Sequence, residues 1–452
     1  MVQSYLTGFD LIITIIYCII ILMYSYNVQK TYVDTFAYYK YFTYGMLARI
    51  GFGLIFGFVY LLFYGGGDTF YYFRGAEALV KLGYIKDFSA FIKILFGDLS
   101  PELYLFDWQT GHPTYFKDPN SFAVCRFMVP FYIMGVGSYW STMLVMNAVL
   151  YIPIWNFYKM LCSKYPRMYK QLAIVVLFFP SMVFWSSGIL KDVWCLVAVY
   201  VLYRSTWLVL FKKRQIYKNM FYIIFWSYIV LSIRPFVFYT AFVAILLWIG
   251  FISLRKIESL FLRTILLPSV MLIMAGIVIV GVSSFGNLAE GKYATVDSML
   301  EHAVIIQEDL SRTEAYGRNT FDIGGFDASI SSMLSKAPAA IVAGIARPFL
   351  WESRSFFMIF SGLESTFFIV FIAFIIYKSS FIRVFSIIYK DPFVLSCFVF
   401  SIMFAFFCGI TVANFGALVR YKVALLPFFS FALFRVNAVI NAEKDKEERE
   451  FF

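Results

Sequence analysis

"LLFYGGGDTFYYFRGAEALVKLG" (Leu61–Gly83) is where the architecture is decided. An apolar run stops at Gly65, Gly66 and Gly67, a single carboxylate follows at Asp68, and an aromatic segment starts immediately after it. Consecutive glycines break a helix, since they adopt positive φ without steric cost. An aspartate next to the last glycine is a helix-start signal that places Asp68 as an N-cap. The stretch reads as the end of a membrane span, a turn, and a second helix at the membrane surface. Asp68 is then either an ordinary cap or the working residue of a membrane enzyme.

Composition extends this reading to the whole chain. Of 452 residues, 61% are hydrophobic, 21% aromatic and only 14% charged, with mean hydropathy +0.77. Soluble domains carry about 25% charged residues, so a water-soluble fold is excluded. The expected class is an all-α polytopic membrane protein. A formal net charge of +11 could suggest nucleic acid. The Lys and Arg residues, however, sit in short gaps between apolar runs, as the positive-inside rule distributes them, so no nucleic-acid partner is expected. Six cysteines lie in or beside apolar stretches without CxxC pairing, which argues against disulfides and metal clusters.

Apolar stretches of about 16–22 residues are long enough to cross a core of about 30 Å. Eleven are expected, near 9–27, 43–64, 139–160, 172–187, 191–211, 219–233, 236–254, 264–285, 362–377, 391–411 and 422–438. The first carries no small-residue cleavage site after it and reads as a retained span. Basic clusters fill alternate gaps: Lys164, Arg167 and Lys170; Lys212, Lys213, Arg214 and Lys218; Arg255, Lys256 and Arg263; Lys378, Arg383 and Lys390. These mark the cytoplasmic side, with the tail "NAEKDKEEREFF" on it and the N-terminus outside. "SFAVCRFMVPFYIMGVG" (121–137) carries Arg126 and Pro130 and is expected as an interfacial or re-entrant helix. The run from Pro338 to Trp351 is too short to cross and is expected in the interface as well. The regions are then 1–64 (two spans), 65–138 (first outward loop), 139–285 (central bundle), 286–361 (second outward loop) and 362–452 (last spans and tail).

Polar residues collect at the outer ends of spans. Asp68 follows span two, and Lys191 and Asp192 sit in the hairpin "PSMVFWSSGILKDVW". Arg234 marks a tight turn before Pro235. Arg347, Glu352, Arg354 and Glu364 flank span nine, and Arg420 and Lys422 begin span eleven. Each has a plain structural role available: capping for Asp68, a local pair for Lys191 and Asp192, headgroup contacts for Arg420 and Lys422. His112 and His302 are lone histidines, so no metal and no cofactor is indicated. Mixed carboxylates and cations on one side, against plain basic anchors on the other, point to a polar cleft at the outer leaflet.

Several of these segments together resemble the GT-C superfamily of membrane glycosyltransferases. They are an early span ending in an acidic residue, the helix "DTFYYFRGAEALVKLG", then "GHP", then "MGVGSYW" before the next span. Protein O-mannosyltransferases and aminoarabinose-type lipid A transferases show that order, and "FFPSMVFWSSGILKDVW" is similar to their second outward loop. The resemblance covers about residues 43–211, with Thr69 where those families carry a second acidic residue and one extra span before the motif. In the C-terminal half, "IARPFLWESRS" and "GALVRYKVALLPFF" resemble bacterial polysaccharide polymerases and O-antigen ligases.

The resemblance implies transfer of a sugar or glycan from a polyprenyl-(pyro)phosphate donor to a glycan, lipid or protein acceptor. The site would face the outside or periplasm of a plasma (inner) membrane. Asp68 would act as general base on the acceptor hydroxyl. Arg347, Arg354, Arg420 and Lys191 would face the leaving phosphate, with Asp192, Arg234, Glu352, Lys422 and His112 lining the same cleft. Gly65–Gly67 would act as a hinge. Phe70, Tyr71, Tyr72 and Phe73 would anchor at headgroup level or stack on sugar. The alternatives are a polymerase or ligase, and a lipid or polysaccharide transporter, which calls for ionisable residues near span centres.

Overall fold

The computed structural model describes residues 5–100, 103–255, 296–312, 319–353 and 356–450. The protein is 82% helical, with no strand among the described residues. It forms two compact units, Met1–Arg234 and Pro235–Phe452.

The first unit contains ten α-helices among its described residues: α1 (Gly8–Tyr32), α2 (Phe42–Leu62), α3 (Asp68–Lys81), α4 (Phe88–Leu95), α5 (Pro119–Met134), α6 (Tyr139–Lys164), α7 (Tyr169–Ala173), α8 (Pro180–Ser187), α9 (Lys191–Thr206) and α10 (Ile216–Ile233). Thr7 and Asp10 close a reciprocal cap at the start of α1. The α1 surface is almost wholly uncovered: only 6% of its apolar window is buried, and Phe9, Ile12, Ile15, Ile19 and Met23 are exposed. A helix this apolar on every side is stable in hydrocarbon and not in water. The protein is membrane-embedded.

Among the described residues, eight helices are long and apolar enough to cross a bilayer, or up to ten if each of two bent pairs counts as one span. The expected span at 264–285 lies outside the described residues. Eight of the other expected spans fall on those helices, and the expected spans at 139–160 and 422–438 fall on the longer arms of the two bent pairs.

One bent pair is α5 with α6, which turn 103° at Gly135–Ser138. α5 therefore does not share the path of α6. It is no bare surface helix either, because Phe122, Ala123, Val124, Cys125 and Met128 are fully buried. Gly75 of α3 faces Cys125 so closely that a Cβ there would sit 2.4 Å from its sulfur. α3 and α5 thus pack as a pair over α6.

In the second unit, the run expected in the interface holds a ten-residue helix, Ala337–Ala346, packed on Pro392–Thr411. A Cβ on Gly344 would lie 2.3 Å from the Ala405 carbonyl, and one on Gly409 would lie 2.0 Å from that of Ala340. Small residues four apart on both helices allow this backbone contact. The pairings 340 with 409 and 344 with 405 make the two helices antiparallel. Ala337–Ala346 therefore runs from the end of the longer helix toward its middle, as a re-entrant segment does.

Candidate functional site

The Gly65–Gly67 turn takes φ of +62°, +135° and +116°, which side-chain-bearing residues rarely adopt. Gly67, not Asp68, is the N-cap of α3: its carbonyl accepts from the amides of Phe70 and Tyr71. This corrects the capping expectation. Asp68 is the first residue of α3, half-buried, and its Oδ1 accepts a 2.6 Å hydrogen bond from the Tyr115 hydroxyl. A carboxylate in a first helical turn also meets the positive end of the helix dipole.

Tyr115 comes from the loop ahead of α5, where Asp118 followed by Pro119 starts the helix. Lys86 braces that loop through a 2.7 Å ion pair with Asp107 and a bond to the Leu105 carbonyl. The Lys86 ammonium, aided by the amides of Thr110 and Gln109, holds the Asp107 carboxyl down to about 2. His112 lies exposed in the same loop.

α9 supplies the cation. Lys191 is its first residue, where the dipole disfavours positive charge. Around it, the Asp118 and Asp68 carboxylates and the Arg234 guanidinium lie within electrostatic reach. The two carboxylates favour its charge, and burial and Arg234 oppose it. Arg234, in the turn after α10, pairs with buried Asp192 at 2.6 Å. Asp192 thus finds a partner 42 positions along the chain, in Arg234. In its first unit, then, the protein gathers Asp68, Tyr115, Asp118, Lys191, Asp192 and Arg234.

The aromatic residues after Asp68 are mostly structural. Phe70, Tyr72 and Phe73 are 1%, 2% and 3% exposed, packed against Tyr5, Tyr115, Tyr132 and Tyr139. They neither anchor in headgroups nor offer a face to a sugar, because α3 turns that side onto α5 and α6. Tyr71 alone of the four is half-exposed, edge-on to Tyr115.

The second unit holds the other candidates. Arg347 caps Ala337–Ala346, lies 3.6 Å from Glu352, and sits over the rings of Phe321 and Phe349. Glu352 also accepts from the Phe349 amide, which makes it a local brace. Lys422 is 1% exposed and donates to the Arg347 carbonyl and the Ser365 hydroxyl. Those bonds fix a helix bend rather than offer a cation to a ligand. Arg420 is half-buried in the last turn of Phe415–Tyr421. Arg354 lies outside the described residues.

Arg49 was not singled out from the sequence. It lies midway along the 26-residue Ala37–Leu62 span and is 3% exposed. It donates to the Ser186 hydroxyl at 3.2 Å, the Ser186 carbonyl, and Asn147 Oδ1 at 2.9 Å. It thereby ties α2 to α6 and to Ser186 of α8, which lies five positions before Lys191 in the chain. Among the described residues no group of three His, Cys, Asp or Glu side chains is arranged to hold a metal.

Compared with family models, curated proteins and solved structures, the chain matches none.

Proposed function

We propose that this protein is a membrane glycosyltransferase of the GT-C kind. It moves a sugar or glycan from a polyprenyl-(pyro)phosphate donor to an acceptor at the outer face of the membrane. The membrane is crossed eleven times, with the N-terminus outside and the C-terminus inside. The observation that carries the reading is Asp68: a half-buried carboxylate on a three-glycine turn, oriented by the Tyr115 hydroxyl at 2.6 Å, with the Lys191 ammonium in electrostatic reach.

An acceptor hydroxyl needs a positioned base as bond formation begins, and the departing phosphate needs a facing cation. Asp68 takes the first role and Lys191 the second. Arg234 is paired with Asp192 and keeps the site's floor in place.

A second reading, a transporter of lipid or polysaccharide, draws on Arg49, an ionisable residue at the centre of a span. Proteoliposomes loaded with a lipid-linked sugar donor separate the two. Transfer of labelled sugar to a new covalent product supports the enzyme, and passage of intact donor without a new bond supports the transporter.

A further inference from the structure

A half-open cavity of about 240 Å³ lies on the flank of the first unit, between α6, α9 and α10. Its walls are apolar at one end, with Val149, Ile152 and Val201, and polar at the other, with Asn156 and Arg204. Trp226 and Tyr222 of α10 close the side. Along α6 the polar end lies toward Lys164, and along α9 it lies toward Lys212, so it faces the basic edge of the bundle.

The charges there are arranged against their own electrostatics. Arg204 is half-buried in the cavity wall; Lys159, one turn of α6 beyond Asn156 and outside the lining, is half-buried over the Tyr39 ring and within electrostatic reach of Arg204. Among the described residues neither forms an ion pair with a carboxylate. A half-buried guanidinium with a second cation nearby and no carboxylate partner favours an anion at the cavity's polar end.

We propose that this cavity is a binding site for an anionic phospholipid. The phosphate is held by the Arg204 guanidinium and the Asn156 amide, and the Lys159 charge, outside the lining, adds attraction at longer range. The first part of one acyl chain lies along Val149, Ile152 and Val201. Drug-sized ligands fill cavities of about 300–1,000 Å³, and this one is smaller and open at the side. A phosphate head with a chain that continues into the bilayer fits such a shape, and a basic pocket between spans is where anionic headgroups bind. This site lies apart from Asp68 and goes beyond the proposed transfer reaction.

The test uses the purified full chain in neutral detergent, with thermal unfolding followed as lipid is titrated. Phosphatidylglycerol should raise the midpoint, and phosphatidylcholine and inorganic phosphate should not. The double variant Arg204→Gln, Lys159→Gln should weaken the phosphatidylglycerol effect about tenfold, as loss of charge-assisted bonds to phosphate implies. Equal effects of the two lipids, an effect of inorganic phosphate alone, or an unchanged response in the variant would each overturn the site. Native mass spectrometry of the unmodified protein covers the case of a variant that does not fold: preferential retention of phosphatidylglycerol supports the proposal, and equal retention of both lipids overturns it. No sugar transfer is measured, so the outcome is independent of the role of Asp68.

Discussion

Single residues divide into those whose signal is local and those whose partners come from elsewhere in the chain. Asp68 was legible because glycines and an aromatic helix bracket it, but Tyr115 lies 47 positions away and nothing in the sequence ties the two. Tyr115→Phe removes the hydroxyl that orients the carboxylate, while keeping the ring against Tyr71 and Tyr72. It should lower the rate of transfer about tenfold with folding retained, read as a fall in kcat with little change in KM. Arg49 carries no local signal, because its partners Asn147 and Ser186 lie 98 and 137 positions away. Arg49→Met leaves the Asn147 and Ser186 acceptors buried without their donor, at about 1–3 kcal/mol for each. Chemical denaturation should register that loss, and a variant as stable as the parent would mean that water reaches the site.

At the level of elements, the helices were legible from apolar length and their packing was not. The run near Pro338–Trp351 was expected to float at the interface because it is short. What it lacked in length it makes up in small residues: Ala340, Gly344, Ala405 and Gly409 let two backbones touch. Gly344→Leu should separate them and lower the unfolding midpoint, whereas the same change at exposed Gly325, where a Cβ meets nothing within 4 Å, should leave it unchanged. The loop that carries Tyr115 has its own signature in pH. Asp107 is held below the ordinary carboxylate range of about 3.9. Its contribution to order is therefore fully present above that range and is lost as pH falls through about 2. Hydrogen exchange at Gln109 and Thr110 should stay slow at pH 4 and rise only toward pH 2. In Lys86→Ala the rise should begin at higher pH.

For the whole molecule, hydropathy alone identified a helical membrane protein, because every unsatisfied backbone group in lipid forces helices. Sidedness rests on the alternation of basic gaps. Cysteines placed at exposed Ser100 and Lys213 should react with an impermeant label from opposite sides; labelling of both from one side would contradict this topology, and 121–137 as a true span would be the first revision. The catalytic claim meets its most direct test in the rate of sugar transfer from a lipid-linked donor by Asp68→Asn in proteoliposomes. Gly67 supplies the cap, so this change leaves the helix start intact and costs only the dipole interaction, about 0.3–1 kcal/mol. Asparagine accepts the Tyr115 bond but not a proton. The rate should fall about 10²–10⁴-fold with the fold retained. Transfer at near-parental rate by the folded variant would contradict the account and leave Asp68 a structural residue of its turn.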